Sequence, residues 1–547
     1  MKKIILYIIF SILFIPVFSQ SVFLSEENQY YDFLTLDGTL KSSTLNYKSL
    51  SDLNYNLNNV SLDKNIWNKI QFDNEKQITD SFSYKVFSPE FFMSYNTASP
   101  YGMNDEGLWQ GKGFNLEFDT GIQLLYKGLE ITFLPEITFS QNLPFEYMEP
   151  YYKGEKYEGK ADIYGAYSLP SIDVPQRFGD ESFFTFNFGQ SEIRYSYKEF
   201  TVGFGTQSIW LGPTKLFPIL HSNNAANYPK LDFGVRRKSL DIKDFWLGDI
   251  EFRYWMGYLH ESKYFDNNPQ NDSNLITGLS LAYEVPFLKG FSIGFNRTML
   301  SKWNDISPYS MFTLLIPSMD KAAGYDQNDQ RASIVANYEI PKGGINFYIE
   351  WAKNDYNTGF DNLIRYPFHT QAFTFGFDKA LKYTDKLWAE LLCEISYLET
   401  SMDYHFFYDW GGTGNNFYSH HIITQGYTNN GQYIGAGIGS GGNAQYLGFK
   451  IYHPQGSVNL FVQRANPDLN YSYFQDNAED KTNDEKKQSI RATMDFGVEA
   501  VYFFTPKFHS KFSFVLRDEH NPLNENRKSK SVHRVNCHFG LWAKYIL

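Results

Sequence analysis

The chain has 547 residues, among them Phe 50, Tyr 41 and Trp 10, yet its mean hydropathy is only -0.42. So many aromatics in a polar average means apolar residues dispersed singly among polar ones, and beyond the N-terminus no apolar run approaches the ~18 residues that a membrane-spanning helix needs. A net charge of -12 disfavours a nucleic-acid partner, whose binding rests on phosphate neutralisation, and two cysteines, Cys393 and Cys537, are too few for a disulfide framework or a zinc site of their own.

Lys2 and Lys3 precede an apolar stretch, 4–18, broken only by Ser11 and Pro16, with small residues suited to cleavage at Val17 and Ser19. This predicts a signal peptide over 1–19, cut before Gln20, and an exported mature protein. Residues 20–85 read as a small, mostly helical periplasmic element. Ser25 followed by Glu26 and Glu27 is a helix start, because a hydroxyl cap and two carboxylates suit the exposed amides there. Tyr30, Phe33, Leu34 and Asp37 then share a helical spacing, and Gly38 is a stop. A second short helix is expected around Ile66, Trp67 and Ile70, after an Asn/Ser-rich connector.

From about Tyr84 the period becomes two. Ile193, Tyr195 and Tyr197 alternate with Glu192, Arg194 and Ser196, and Ile250, Phe252, Tyr254 and Met256 alternate with Glu251 and Arg253. Side chains of a strand point alternately to opposite faces, so each such segment has one apolar and one polar face. Short turns alternate with long connections near 140–180, 205–232, 300–330 and 400–445. That alternation, with aromatics at segment ends and a last segment, 539–547, that alternates to the final residue, predicts an all-β chain. The fold class is a transmembrane antiparallel β-barrel over 86–547, of roughly 16–18 strands at about 10 residues each. A soluble multi-sheet protein would alternate too, but would rarely need so many aromatics.

No enzyme constellation stands out. Gly290-Phe291-Ser292-Ile293-Gly294 matches a nucleophile-elbow pattern, but its serine lies on a continuing strand instead of a sharp strand-to-helix turn. Gly437, Gly439 and Gly442 fit a phosphate-loop spacing with no helix after them. Glycines at 435, 437, 439 and 441 are expected to strip one strand face for a close approach. His420 and His421, taken as strand neighbours, face opposite sides, and with His405 they make a poor ligand set, so no metal site is expected. Alternating carboxylates, Glu390 with Glu394 and Asp495 with Glu499, are expected on the lumen face, solvated or in salt bridges.

Three blocks resemble the capsule-assembly Wzi family of outer-membrane proteins. The first runs Asn104-Asp105-Glu106-Gly107-Leu108-Trp109-Gln110-Gly111-Lys112-Gly113-Phe114-Asn115, followed by Pro135-Glu136. The second runs from Gly203-Phe204-Gly205 through Trp210-Leu211-Gly212-Pro213 and Ser222-Asn223-Asn224-Ala225 to Arg236-Arg237. The third is Gly426-Tyr427 with Gly435, Gly437 and Gly439. The opening Tyr30-Tyr31-Asp32-Phe33-Leu34 is also similar, while the long loops at 400–425 and 476–489 align with nothing. The resemblance implies an 18-stranded barrel with a helical bundle at its periplasmic end. It also implies a non-enzymatic, lectin-like role in holding capsular or related exopolysaccharide.

Aromatic faces can carry the C–H faces of sugar rings, and Asn or Arg side chains can fix their orientation. Trp210, Asn223, Asn224, Arg236 and Arg237 are therefore the candidate polysaccharide contacts, with the arginines suited to a uronate carboxylate. Packing and turn roles compete with this reading. Asn104, Asp105, Trp109, Gln110, Gly111, Gly113, Asn115, Gly205, Gly212 and Pro213 are read as structural. The expected partners are outer-membrane lipid, surface polysaccharide and, as a further candidate, capsule export machinery; no cofactor is expected. The competing function is a porin or solute transporter, and an occluding element in the lumen would argue against it.

Overall fold

A computed structural model describes residues 25–547 apart from 56–59, 62–63, 149–171, 244, 267, 316–327, 355–363, 365–369, 399–416, 421, 470–489 and 526–531. The predicted signal segment and its cleavage point, His405, His421 and the loop 476–489 lie outside the described residues.

The first helix forms as its caps dictate. Helix α1, Glu26–Leu36, opens on Ser25, whose hydroxyl accepts from the Asn28 amide at 3.3 Å, and carries Glu26 and Glu27 in its first turn. It ends where Gly38 takes φ 79° and the amides of Thr39 and Leu40 return to the Leu34 carbonyl, both at 2.9 Å. Tyr30, Phe33 and Leu34 are fully buried against Trp67, Trp388, Tyr452 and Phe503. The expected second helix does not form: residues 66–69 are turns. The Asn65 side chain takes the Trp67 amide at 3.0 Å, and the Trp67 indole donates to the His453 carbonyl at 2.8 Å. Local side-chain bonds and docking on the wall thus displace the helical pattern.

The barrel strands follow. They are β1 (Phe82–Asn96), β2 (Gly113–Tyr126), β3 (Leu129–Phe133 and Glu136–Ser140), β4 (Phe183–Asn187 and Glu192–Tyr197), β5 (Phe200–Gly205) and β6 (Lys230–Ile242). Next come β7 (Phe245–His260), β8 (Ser273–Glu284), β9 (Phe291–Lys302), β10 (Asp329–Ile340), β11 (Ile345–Asn354) and β12 (Gln371–Thr384). The set ends with β13 (Leu387–Tyr397), β14 (Asn443–His453), β15 (Gly456–Asn466), β16 (Ala492–Thr505), β17 (Phe508–His520) and β18 (His533–Tyr545). Each pairs antiparallel with its neighbour, and β18 pairs with β1, so 18 strand positions close on themselves. Closure leaves no unpaired sheet edge, the condition for a sheet in hydrocarbon. The first barrel strand begins at Phe82, and a short strand, Asn74–Thr79, pairs with its start.

Polarity runs inside out. On β4, Ile193 and Tyr195 are exposed while Glu192 and Arg194 are buried in the lumen, the reverse of a water-soluble sandwich. Tyr197, Phe200, Phe245, Phe287, Tyr383 and Tyr545 are exposed near the ends joined by short turns, forming an aromatic girdle at one interface. The short turns mark the periplasmic end, and the long connections leave from the other. Helix α1 sits at the short-turn end, against Ala380, Trp388 and Tyr452.

Candidate functional site

Much of the lumen is filled. From the short-turn side, residues 41–52 rise along the wall, and Tyr47–Lys48 pairs with Trp210–Leu211 of the long connection between β5 and β6. That connection and the segment 417–442 fold inward and share a buried apolar cluster that includes Ile209, Phe217, Ile219, Tyr418, Tyr427 and Ile434.

Wall carboxylates clamp this plug by its backbone. Glu251 accepts from the amides of Leu45, Asn46 and Tyr47 at 2.7, 3.0 and 2.7 Å. Glu394 accepts from Lys215, Leu216 and Phe217 at 2.7, 3.0 and 2.7 Å, and from the Tyr348 hydroxyl at 2.6 Å. Glu350 accepts from the Ile219 amide at 2.7 Å. An ionised carboxylate has several acceptor sites, so one side chain satisfies a whole turn of loop that would otherwise be buried without partners. The alternating carboxylates seen in the sequence do face the lumen. Glu390 pairs with Lys215 at 3.1 Å, Asp495 with Arg517 at 2.7 Å, and Glu499 with Lys511 at 2.9 Å.

The three motif blocks converge. The Asn104 amide donates to the Asn224 side chain at 3.2 Å, the Glu106 amide to the Asn223 carbonyl at 2.8 Å, and the Asn224 side chain to the Tyr433 carbonyl at 3.0 Å. Ser222 donates to the Gly435 carbonyl at 2.7 Å. The glycine series lies in turns, not on the expected strand, because Gly439 and Gly441 take φ 80° and 70°. The close approach is real: a Cβ at Gly435 would stand 2.1 Å from the Ile219 carbonyl oxygen, and one at Gly437 would stand 2.3 Å from the Asn224 side chain.

Within the first block, Asn104 takes φ 62° and donates to the Leu216 carbonyl at 3.0 Å, and Gln110 donates to Asp105 at 2.8 Å. Trp109 packs on Phe178 with ring centroids 4.8 Å apart. Asn115 reaches the Gly111 carbonyl at 2.9 Å, and Gly113 takes φ 92°. In the second block Gly205 lies against the Ser191 carbonyl, Pro213 is buried, and Gly212, at φ 86°, donates its amide to the Asn46 carbonyl at 2.8 Å.

Burial holds three of the plug's titratable groups, Asp105, Asp173 and His221, away from their charged forms. Asp105 is pushed up to about 7 by desolvation, and Asp173 to about 6 by the same cause. His221 is pushed down to about 3, chiefly by burial and then by Lys230. It is a neutral imidazole whose Nδ1–H faces the Ile209 and Ser222 carbonyls at 2.9 and 3.0 Å, while Nε2 accepts from the Tyr228 hydroxyl at 2.7 Å.

Of the candidate sugar contacts, Trp210 is buried with its indole donating to the Thr214 carbonyl at 2.8 Å, and Asn223 and Asn224 are buried within the plug. Arg236 and Arg237 sit toward the short-turn end, away from these three. Arg236 pairs with Asp52 at 3.0 Å and Glu130 at 3.3 Å and donates to the Ser51 carbonyl at 3.1 Å. Arg237 pairs with Asp249 at 2.8 Å and with Glu284, and donates to the Ser42 carbonyl at 2.9 Å. Both guanidiniums tie the rising N-terminal segment to the wall.

A cavity of about 550 Å³ runs between the plug and the wall of β13–β18, β1 and β2. Its lining begins at Gln29 and Asp32 of α1, passes Trp210 and Asn224, and reaches Tyr101, Trp109, Phe145, Tyr147, Arg491, Arg517 and Arg534 at the long-loop end. Arg517 lies over the Tyr101 ring at 4.4 Å and Arg534 near Phe145 at 5.9 Å. Arg534 also pairs with Glu519 at 2.6 Å. Arg491 is different: among the described residues its guanidinium reaches the Met148 sulfur at 3.7 Å and pairs with no carboxylate, and its Nε is buried without a partner. These three arginines are not legible in the sequence, because Arg491 and Arg534 stand at strand starts beside polar loop sequence and Arg517 near the end of β17, where a surface role is the ordinary reading.

His420 lies in irregular chain instead of on a strand, its Nδ1 accepting from the Ile422 and Ile423 amides at 3.3 and 3.0 Å. Cys393 and Cys537 are free. Ser292 lies on β9 without a turn, as its neighbours suggested.

The model of the family described as capsule assembly protein Wzi matches residues 94–506. A search of curated proteins finds no match. Among solved structures, Wzi of Escherichia coli, described as an outer-membrane protein involved in group 1 capsule assembly and a carbohydrate-binding β-barrel, is similar. It is 12% identical, with a TM-score of 0.53 over 84% of this chain and 85% of that one. OccAB1 of Acinetobacter baumannii is 9% identical over 87% of this chain and 100% of that one, with a TM-score of 0.38. OprD of Pseudomonas aeruginosa is also 9% identical, over 87% and 96%, with a TM-score of 0.38. These last two likenesses are too weak to carry a functional argument. The match over residues 94–506, the outer-membrane barrel and the joining of all three motif blocks in one plug lead to one conclusion: this chain belongs to the capsule assembly protein Wzi family.

Proposed function

We propose that this protein holds an acidic surface polysaccharide at the long-loop end of a plugged outer-membrane barrel, without cutting or building the glycan. The observation that carries this reading is the cavity at that end, where aromatic rings stand beside three guanidiniums and Arg491 pairs with no carboxylate among the described residues. A uronate or other acidic sugar supplies the missing charge bidentately, and Tyr101, Phe145 and Tyr147 supply apolar faces for its ring. Trp210 and Asn224, deeper along the same lining, extend the groove inward. Asn223, Arg236 and Arg237 act by keeping the plug in place. The carbohydrate binding described for Escherichia coli Wzi supports the reading. Capsule export machinery is the proposed protein partner, and the segment 1–19 directs export and is removed from the mature protein.

The test is a gene deletion with separate measurement of cell-attached and released polysaccharide, complemented by wild type and by Arg491→Ala/Arg534→Ala. The expected result is steady total glycan with a reduced attached fraction, restored by wild type and not by the variant. Unchanged pools on deletion would sink the attachment reading. The occluded lumen also predicts no stable conductance from the purified protein in planar bilayers; porin-like steps would overturn that.

A further inference from the structure

We infer that the outer rim of the last hairpin carries a site for a borderline divalent cation of the zinc class, formed by Asp518, His520 and His533. None of the three belongs to the cavity or the plug.

The site follows from strand register. His520 and His533 are directly paired across β17 and β18, at the last rung before the long connection. Asp518 lies two residues before His520 and so shares its face. The donor atoms converge: His533 Nδ1 stands 2.9 Å from one Asp518 oxygen and His520 Nε2 stands 3.2 Å from the other. One ligand atom from each of the three residues lies within 4.8 Å of the others. The imidazole rings meet edge to face with centroids 4.2 Å apart.

The face is the outward one. Arg517, Glu519 and Arg534, at the alternating positions, line the cavity inside, so their charges point away from this trio. Leu516 and Val535, one step further down the outward face, are exposed apolar residues of the lipid-facing band. The trio therefore stands at the upper edge of that band, partly exposed, where an ion can enter from the surrounding medium.

Ligand chemistry selects the cation. Two imidazole nitrogens and one carboxylate suit Zn²⁺ and its neighbours in softness, whereas Ca²⁺ and Mg²⁺ take oxygen donors. Zinc bonds of about 2.0–2.1 Å place tetrahedral ligands a little over 3 Å apart, close to the spacing here, and leave a fourth position for water. The ion would cross-link the free end of β17 to that of β18, beside the seam where β18 meets β1. The signal in the sequence is Asp-x-His at a strand end with a histidine opposite, legible only once the register is known.

The test uses tag-free full mature protein in detergent, stripped with chelator and titrated with Zn²⁺ alone by calorimetry, with Co²⁺ absorption reporting coordination geometry. One equivalent is expected to bind, weakened at least about tenfold in His533→Ala and in Asp518→Asn. His453→Ala, at the short-turn end, should bind as wild type. Heat-modified gel mobility verifies that each variant is a folded barrel. Absence of stoichiometric binding, or binding unchanged in both rim variants, overturns the site, and Ca²⁺ competing as well as Zn²⁺ overturns the assigned class. Polysaccharide retention is independent of this result.

Discussion

Two groups of arginines inside the same barrel behave in opposite ways. In the group facing the N-terminal segment, Arg194 pairs with Glu192 at 2.7 Å and also with Asp232, while Arg253 pairs with Asp232 at 2.7 Å and Asp52 at 2.8 Å. All five side chains are almost wholly buried. Every charge there has an opposite one, which is the condition for keeping a guanidinium out of water. In the group at the long-loop end, Arg517 and Arg534 are matched by Asp495 and Glu519, while Arg491 faces a thioether. A balanced network holds a plug; among the described residues the second is unbalanced, and in an aromatic cavity that is the charge the proposed acidic ligand would meet. The chemistry is the same in both places, and the difference lies in the count of carboxylates.

Removing a partner from the balanced group should have the largest effect. Asp52→Ala leaves Arg253 and Arg236 short of an anion in a buried setting and is expected to cost about 3–5 kcal/mol, read as a lower urea midpoint for the protein folded in lipid vesicles. A change within error would mean that the network is solvated. The converse substitution, Arg491→Ala/Arg534→Ala, should leave that midpoint nearly unchanged while weakening retention of acidic polysaccharide about tenfold or more. If both properties moved together, the upper arginines would be structural too. Arg491→Lys keeps the charge but loses the planar fork, so a smaller, few-fold loss of retention is expected, with full loss only of any preference for carboxylate sugars over neutral ones.

The smallest effect concerns pH. Asp105 is held up to about 7 in the folded plug against 3.8 ordinarily, so the folded state keeps a proton that the unfolded chain releases. Its contribution to docking of the 97–112 segment is complete below the lower value and declines as pH rises through the upper one. Hydrogen-exchange protection of that segment should fall from about pH 5 to about pH 8 in the wild type and vary less in Asp105→Asn. A flat wild-type profile would place Asp105 in water.

Legibility differed by element. The alternation at 192–197 and 250–258, the caps of α1 and the aromatic segment ends are local patterns, and each local rule agrees with the barrel. The second helix failed because Asn65 and the Trp67 indole found partners that no helical periodicity encodes. Arg236 and Arg237 looked like ligand-facing residues because they adjoin a motif rich in Trp and Asn. Their carboxylate partners, Asp52, Glu130, Asp249 and Glu284, come from as far as 184 residues away in sequence.

Local sequence dictates the period of two, the inside-out distribution of polarity, the alternation of short and long connections and the opening helix. Each depends on neighbours within a few positions, where backbone geometry dictates which side chains share a face. The tertiary structure alone decided that the loops fold inward into the lumen, and which guanidinium is left unmatched among the described residues. It also decided that Asp518, His520 and His533 meet. Those outcomes depend on register and closure, which bring together residues that no local pattern relates.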